Sequence, residues 1–477
     1  MTRESWQTRI GFILAAVGSA VGLGNLWRFP WMTSENGGAA FLLVYLGVVL
    51  VVGVPGLLAE FVIGRRSRRN PVGALSDLSD SRAWSAFGHV FVVTAVVLLS
   101  FYSVVGGWIL RYLAASATGA YFADPAAYFG AIDYGVEAVA FHLAFLAVTA
   151  GIVLRGVRRG IETATKLMMP AILALLVALA AWGVTLDGAA AGLEFYLSPD
   201  VGYLRANFLD ILPAAAGQAL FTLSLGAGTM LTYASYLGED RSLAADGTAI
   251  AALNTFVGVL AGVVVFPILF ALGAGAGGGG PGALFVSLAG AFAALPYGEL
   301  VGVAFFGVVA LAALSSSISM LEIPVSFLVD EYGVSRRGAT TGLVGVFAVT
   351  GAVCALDPDV FSFVAGTLVN LLLTGGLVGF LLFAGWVMGA DALDEYRTGA
   401  GSLAGDLATP WLYAAGVLIP VFLVFTFVSG LAAALGVTVG PLSVLGVTLD
   451  QTRVLVVVSV AVAVLSFVGL RRPNSVL

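Results

Sequence analysis

The sequence predicts an all-α polytopic membrane protein of about twelve transmembrane helices, and three observations carry that expectation. Of 477 residues, 60% are hydrophobic and only 10% charged, with a mean hydropathy of +1.03; soluble domains carry about 25% charge. Apolar runs long enough to cross a bilayer, roughly 20 residues in a helix, recur along almost the whole chain. The short alternating segments of a membrane barrel do not appear.

The first five spans are expected near residues 11–37, 39–64, 86–121, 136–154 and 160–184. Five more follow near 206–236, 242–273, 299–331, 336–355 and 359–388, and a last pair near 409–435 and 452–470. The first apolar run is long and follows a short polar tail, so no cleavable signal peptide is expected. With the N-terminus in the cytoplasm, 17 of the 21 Lys and Arg residues fall inside, the "RRSRR" cluster at 65–69 among them. Arg28, Arg111, Arg205 and Arg453 fall outside, which orients a plasma-membrane protein with both termini cytoplasmic. The two histidines, His89 and His142, and the lone Cys354 exclude a disulfide framework and any Cys/His metal cluster. Nothing in the sequence points to nucleic acid; a homodimer stays open.

Span 1 should be a plain helix, yet "GSAVGLGNLWRFPWMTSENGG" (Gly18 to Gly38) carries glycines, Asn25, Arg28 and a proline. Span 6 repeats the anomaly in "GQALFTLSLGAGTMLTYASY" (Gly217 to Tyr236). Unsatisfied backbone groups in hydrocarbon cost several kcal/mol each, so broken helices survive where they line a cavity. Freed N–H groups favour anions and unwound carbonyls favour cations. Breaks at corresponding positions imply two five-helix repeats, 1–184 and 185–388, with two further helices in 389–477. Five is odd, so the second repeat is inverted. Paired breaks of this kind point to a transporter's binding site, and this reading of the residues reaches a cation-coupled transporter.

At "WQTRIGFILAAVGSAVGLGNLWRFP", "ENGGAAFLLVYL", "GQALFTLSLGAG", "TYASY" and "SSSISMLE" the chain resembles the neurotransmitter:sodium symporters, above all the bacterial amino-acid carriers of the leucine-transporter type. The resemblance covers nearly the whole chain and implies the leucine-transporter fold, a sodium-coupled importer of an α-amino acid working by alternating access, and two sodium sites. It implies a first sodium held by the Ala20 carbonyl, Asn25, Thr222, Asn254 and the substrate carboxylate. A second would meet the carbonyls of Gly18, Val21 and Ala312 and the hydroxyls of Ser315 and Ser316. These are the oxygen donors a hard cation requires.

Substrate recognition follows from the same resemblance. Leu23 and Gly24 would offer N–H groups to a carboxylate with the Tyr102 hydroxyl, while Ala20, Phe221, Thr222 and Ser224 would take an ammonium. Leu98, Tyr102, Phe221, Ala227, Ser316 and Met320 would line the side-chain pocket. Family members that carry monoamines have Asp at the Gly22 position, so glycine favours a substrate with its own carboxylate. Ala227 stands where the leucine transporter has Phe, which favours a large hydrophobic or aromatic amino acid.

The implied inner gate comprises Arg3, Trp6, Tyr236 and Asp330, with Glu322 one turn deeper. The outer gate has Arg28, but the expected Asp aligns with Ser362, leaving Asp359 as the substitute partner. Asn254 and Gly258 match neither family pattern for chloride, so chloride dependence is open; Tyr45, Gln218 and Thr222 are the candidate lining. Glu60, inside span 2, is either a buried tie between spans or a proton-coupling group. An amino-acid sensor or a ligand-gated channel on the same fold are the alternatives. An enzyme is not expected, because the histidines are scattered and no nucleophile–base or metal constellation exists.

Overall fold

A computed structural model describes residues 6, 8–238, 241–271 and 282–437, then 442–444, 447–449, 454–461 and 464. Nine unbroken helices in these residues are long and apolar enough to cross a membrane. They are Ala39–Ser67 (span 2), Arg82–Ser116 (span 3), Val136–Val153 (span 4), Val157–Gly183 (span 5) and Leu243–Ala271 (span 7), followed by Gly298–Tyr332 (span 8), Arg336–Leu356 (span 9), Pro358–Met388 (span 10) and Ala408–Ala432 (span 11). Span 1 is the bent pair Arg9–Ala20 and Gly24–Glu35. Span 6 is Val201–Thr222 followed, after a six-residue break, by Thr229–Ala234. The expected last span is described only at 454–461 and 464, where it is helical. A short antiparallel strand pair, Leu442–Val444 with Val447–Leu449, precedes it and was not expected.

Spans 3 and 8, each a 35-residue helix, pack along one another. The two broken spans meet them and each other at mid-depth. In span 1 the chain turns extended at Val21 (φ −77°, ψ 97°), and the second half begins as a wide π-helical turn at Gly24–Arg28, so the halves bend by 46°. Such turns recur at functional sites. The glycines here permit close approach. A Cβ on Gly24 would stand 3.1 Å from the Thr222 backbone, and one on Gly22 would stand 2.1 Å from Ser316 Oγ and 2.8 Å from Tyr102 Oη.

Span 6 breaks through left-handed residues at Ser224, Gly226 and Gly228 (φ 54°, 79° and 77°). Its freed N–H groups find an acceptor in span 2. The buried Glu60 carboxylate takes Gly226 N at 2.7 Å and Leu231 N at 3.2 Å. Both oxygens are thus engaged, which fits a structural tie, although the bonds reach span 6 and not span 1. On the other flank, a Cβ at Gly226 would stand 1.9 Å from the Leu373 carbonyl of span 10, and one at Gly376 would stand 2.0 Å from the Gly226 carbonyl.

That backbone contact yields a paired prediction. Gly226→Ala should abolish folded yield or sharply lower the melting temperature, because it combines a positive φ with a clash against backbone. Gly47→Ala, whose added Cβ meets nothing within 4 Å, should be neutral or stabilising by roughly 0.5–1 kcal/mol in its helix. Thermal unfolding of both variants in detergent checks the contrast, and equal behaviour would remove the packing account.

Candidate functional site

The breaks gather three side chains that the sequence analysis singled out and bury all of them: Asn25, Thr222 and Asn254. Asn25 Nδ2 donates to the carbonyl and the side-chain oxygen of Asn254, at 2.9 and 3.0 Å. Asn254 Nδ2 lies 3.3 Å from Thr222 Oγ1. The Asn254 amide oxygen also faces the carbonyls of Ala20 and Thr222, each 3.2 Å away. Oxygens so placed with no proton between them repel. Turning the amide over would supply the donors, and a cation among them would hold the oxygens as they stand. The Asn25 oxygen meanwhile accepts from Gly22 N at 3.3 Å, bracing the break from within.

A second oxygen group lies between span 1 and span 8. Ser315 Oγ is 2.8 Å from the Ala312 carbonyl and 3.2 Å from that of Val21. Gly18 lines the same place, since a Cβ there would stand 3.5 Å from Ser315 Cβ and 3.2 Å from Thr165 Cγ2. Ser316, expected in both the ion and the substrate sites, turns its hydroxyl to the Ser19 carbonyl at 2.9 Å, not to Val21.

Ser224 donates to that same Ser19 carbonyl at 3.1 Å, and Ser19 Oγ donates to Ser319 Oγ at 2.7 Å. Ser19 and Ser319 were missed by sequence reasoning. A backbone acceptor leaves no mark in residue identity, and one serine among several on span 8 does not stand out. Leu23 N donates to Tyr102 Oη at 3.2 Å, so an N–H and a phenol converge beside Gly22, where the Ser316 hydroxyl also reaches. Leu98, Tyr102, Ala227 and Met320 are buried in one apolar core, with Phe221 packed against it.

Toward the arginine-rich face, Trp6 Nε1 donates to the Tyr233 carbonyl at 3.0 Å, and its ring meets Tyr233 and Tyr236 edge-on. Tyr236 Oη donates to Glu322 at 3.0 Å. Glu322 is fully buried and ion-paired with Arg336, which also donates to the Val153 carbonyl at 3.0 Å. The expected partner Arg3 lies outside the described residues; Asp330 accepts from Asn70 N and Nδ2 at 3.3 and 3.4 Å.

At the opposite face the expected Arg28–Asp359 pair is not formed. Asp359 is exposed in the first turn of span 10, whereas Arg28 points inward. Arg28 donates to the Gly217 carbonyl at 3.1 Å and to Asn370 Oδ1 at 3.3 Å, with its guanidinium 4.9 Å above the Phe221 ring. Among the described residues no carboxylate pairs with it. Asn370, itself anchored on the Gly366 carbonyl at 2.5 Å, takes the place assigned to Asp359. Its signal was present: one asparagine in the apolar run "TLVNLLLTGG". Arg28 separates a cavity of about 290 Å³ lined by Trp27, Phe101 and Trp108 from one of about 510 Å³ lined by Met32, Pro213 and Phe427.

Behind the first oxygen group, Gln218 Nε2 donates to the Gly24 carbonyl at 2.7 Å. Gln218 Oε1 has no hydrogen-bond partner among the described residues, and the buried Tyr45 hydroxyl lies against the hydroxyls of Thr222 and Thr255. Thr255 was not anticipated. The titratable metal-ligand clusters of a metalloenzyme are absent among the described residues.

Comparison with known proteins matches this architecture. Residues 3–123 and 132–380 fit the model of the Sodium:neurotransmitter symporter family. The chain is 34% identical over 443 residues to YhdH, an uncharacterized sodium-dependent transporter of Bacillus subtilis, covering 89% of this chain and 97% of that one. It is also 34% identical over 451 residues to an uncharacterized sodium-dependent transporter of Methanocaldococcus jannaschii, covering 89% of each. Among solved structures, MhsT in complex with L-phenylalanine superposes with a TM-score of 0.81 at 38% identity, over 90% of this chain and all of that one. The broken spans, the buried oxygen groups between them and these likenesses agree: the chain belongs to the sodium:neurotransmitter symporter family, a family of sodium-dependent membrane transporters and not of enzymes.

Proposed function

We propose that the chain imports an α-amino acid with a large hydrophobic or aromatic side chain, coupled to sodium and working by alternating access. One juxtaposition carries the reading. Leu23 N and the Tyr102 hydroxyl it meets, which suit a carboxylate, share the span 1 break with the cluster of Ala20, Asn25, Thr222 and Asn254 oxygens, which suit a cation. A substrate carboxylate at that point completes the cation's shell. Ion and amino acid then stabilise the same conformation, and by linkage each raises the other's affinity equally.

On this reading the first sodium takes Ala20, Asn25, Thr222 and Asn254, and the second takes Gly18, Val21, Ala312 and Ser315, with Ser316 shared with the substrate. Ser19 joins Ser224 and Ser316 around the ammonium. The Gly22 packing supports a substrate that brings its own carboxylate, because a side chain there would strike Ser316 and Tyr102. The small residue Ala227 and the phenylalanine bound to MhsT support a large apolar side chain. The arginine-rich face is cytoplasmic, where Trp6, Tyr236 and Asp330 close the path, and Arg28 closes the other end. The two five-span repeats supply the halves that rock.

A thermal-shift screen of amino acids tests the substrate. Large apolar or aromatic amino acids should stabilise the protein in sodium and not in potassium; stabilisation independent of sodium would sink the coupling. The Tyr45, Thr222 and Thr255 hydroxyls, which lie together, support an anion beside Gln218, and gluconate in place of chloride within the same screen tests for it. Removing a first-site oxygen should be decisive: Asn25→Ala or Thr222→Ala should abolish sodium-stimulated binding in a radioligand assay. Unchanged binding in both variants would mean the ion site is misassigned. Asn370→Asp would place a carboxylate on Arg28, strengthening a hydrogen bond by about 1 kcal/mol or more. Uptake into proteoliposomes should slow while sodium-dependent binding persists, and unaltered uptake would exclude Arg28 from the gate.

A further inference from the structure

The arginine-rich face carries a feature that transport does not use. Seven of its described cations already have carboxylates. Arg9 and Arg241 share Asp246, Arg65 and Arg66 hold Glu395 and Asp391, and Arg69 bridges Asp77 and Glu331. Lys166 pairs with Glu162 and Arg336 with Glu322. Arg155, Arg159 and Arg337 are different: they are exposed and pair with no carboxylate among the described residues.

The fold places these three on elements that meet at one end of span 4. Span 4 ends at Val153, and a glycine at φ 81°, Gly156, reverses the chain into the π-helical turn Val157–Glu162 that opens span 5. The turn folds tightly back: a Cβ on Gly160 would stand 2.1 Å from the Ile152 carbonyl and 3.2 Å from Arg155 Cβ. Arg336 donates to the Val153 carbonyl, which seats the start of span 9, and with it Arg337, against the same end of span 4. Leu154 and Leu167 beside the corner are 42% and 76% exposed, an apolar flank under a cationic rim. Of the other exposed arginines without a carboxylate, Arg82 opens span 3 and Arg397 donates to Thr409 at 3.3 Å. Neither belongs to such a group.

We propose that this corner binds the headgroup phosphate of an anionic phospholipid in the cytoplasmic leaflet, a reading that rests on the orientation proposed above. Guanidinium forks match phosphate oxygens. Basic pockets at helix ends on the cytoplasmic side attract anionic lipids. The exposed leucines suit acyl chains and would gain nothing from a free anion, which favours a lipid over dissolved phosphate. The site also touches the transport path, since the same turn ends in Glu162, whose carboxylate accepts from Thr8 at the start of span 1 at 3.1 Å.

Native mass spectrometry of the full chain in detergent tests the proposal with phosphatidylglycerol and phosphatidylcholine of matched acyl chains. The wild type should retain phosphatidylglycerol in preference. Arg155→Gln, Arg159→Gln and Arg337→Gln together should remove the preference, with affinity falling about fivefold for each arginine near an anionic headgroup. Arg82→Gln should leave it intact. Equal retention of both lipids by the wild type, or an undiminished preference in the triple variant, would overturn the site. Displacement of the lipid by inorganic phosphate alone would reassign it to a free anion. The melting temperature of the triple variant shows that it folds. Retention requires neither turnover nor a membrane of defined sidedness, so its failure would leave the transporter reading standing.

Discussion

The structure depends on one constraint: a backbone opened inside hydrocarbon must have its N–H and C=O groups met by the protein itself. Spans 1 and 6 both open there, and their neighbours are arranged to answer them. Glu60 supplies acceptors to span 6, Asn25 supplies one to Gly22, and Gln218 supplies a donor to Gly24. Groups left over face one another across the breaks, and these are the groups a cation and a zwitterion can use. Binding capacity is the remainder after structural satisfaction, which explains why so few charged side chains are needed at the site.

The same constraint explains the glycines. Close approach of the broken spans to each other and to spans 3, 8 and 10 leaves no room for a Cβ at Gly22, Gly226 or Gly376 and little at Gly24. The space that a side chain would fill is taken by a hydroxyl, an aromatic edge or a carbonyl. Selectivity against a carboxylate built into span 1 is therefore steric as well as electrostatic: the Ser316 and Tyr102 hydroxyls already stand where an aspartate at position 22 would begin.

Much of this was legible in the sequence. The apolar period placed the spans within a few residues, because about 20 apolar residues admit few alternatives in a bilayer. Asn25 and Thr222 stand out as polar residues at the breaks, the family resemblance adds Asn254, and the three do meet. What escaped were features with no local signature. The Ser19 acceptor is backbone, and the Ser19–Ser319 bond joins positions 300 residues apart. The expected Arg28 partner is a carboxylate at the very start of span 10, Asp359, but the structure uses a neutral amide about three turns deeper, where Arg28 can reach it. Pattern reading favours charge opposite charge, whereas half-buried guanidinium groups are also well served by carbonyls and ring faces.

That substitution alters what the closure proposed on the Arg28 side would respond to. An exposed ion pair weakens as ionic strength rises, because counterions screen it over about 10 Å at 0.1 M salt. Asn370, the Gly217 carbonyl and the Phe221 ring carry no net charge, so screening removes far less from their hold on Arg28. On the proposed orientation, a sodium-driven carrier meets its fuel as salt on that side. A lid latched by dipoles would hold nearly as firmly in brine as in dilute water, which would loosen the link between the concentration of the driving ion and the strength of the door it must pass.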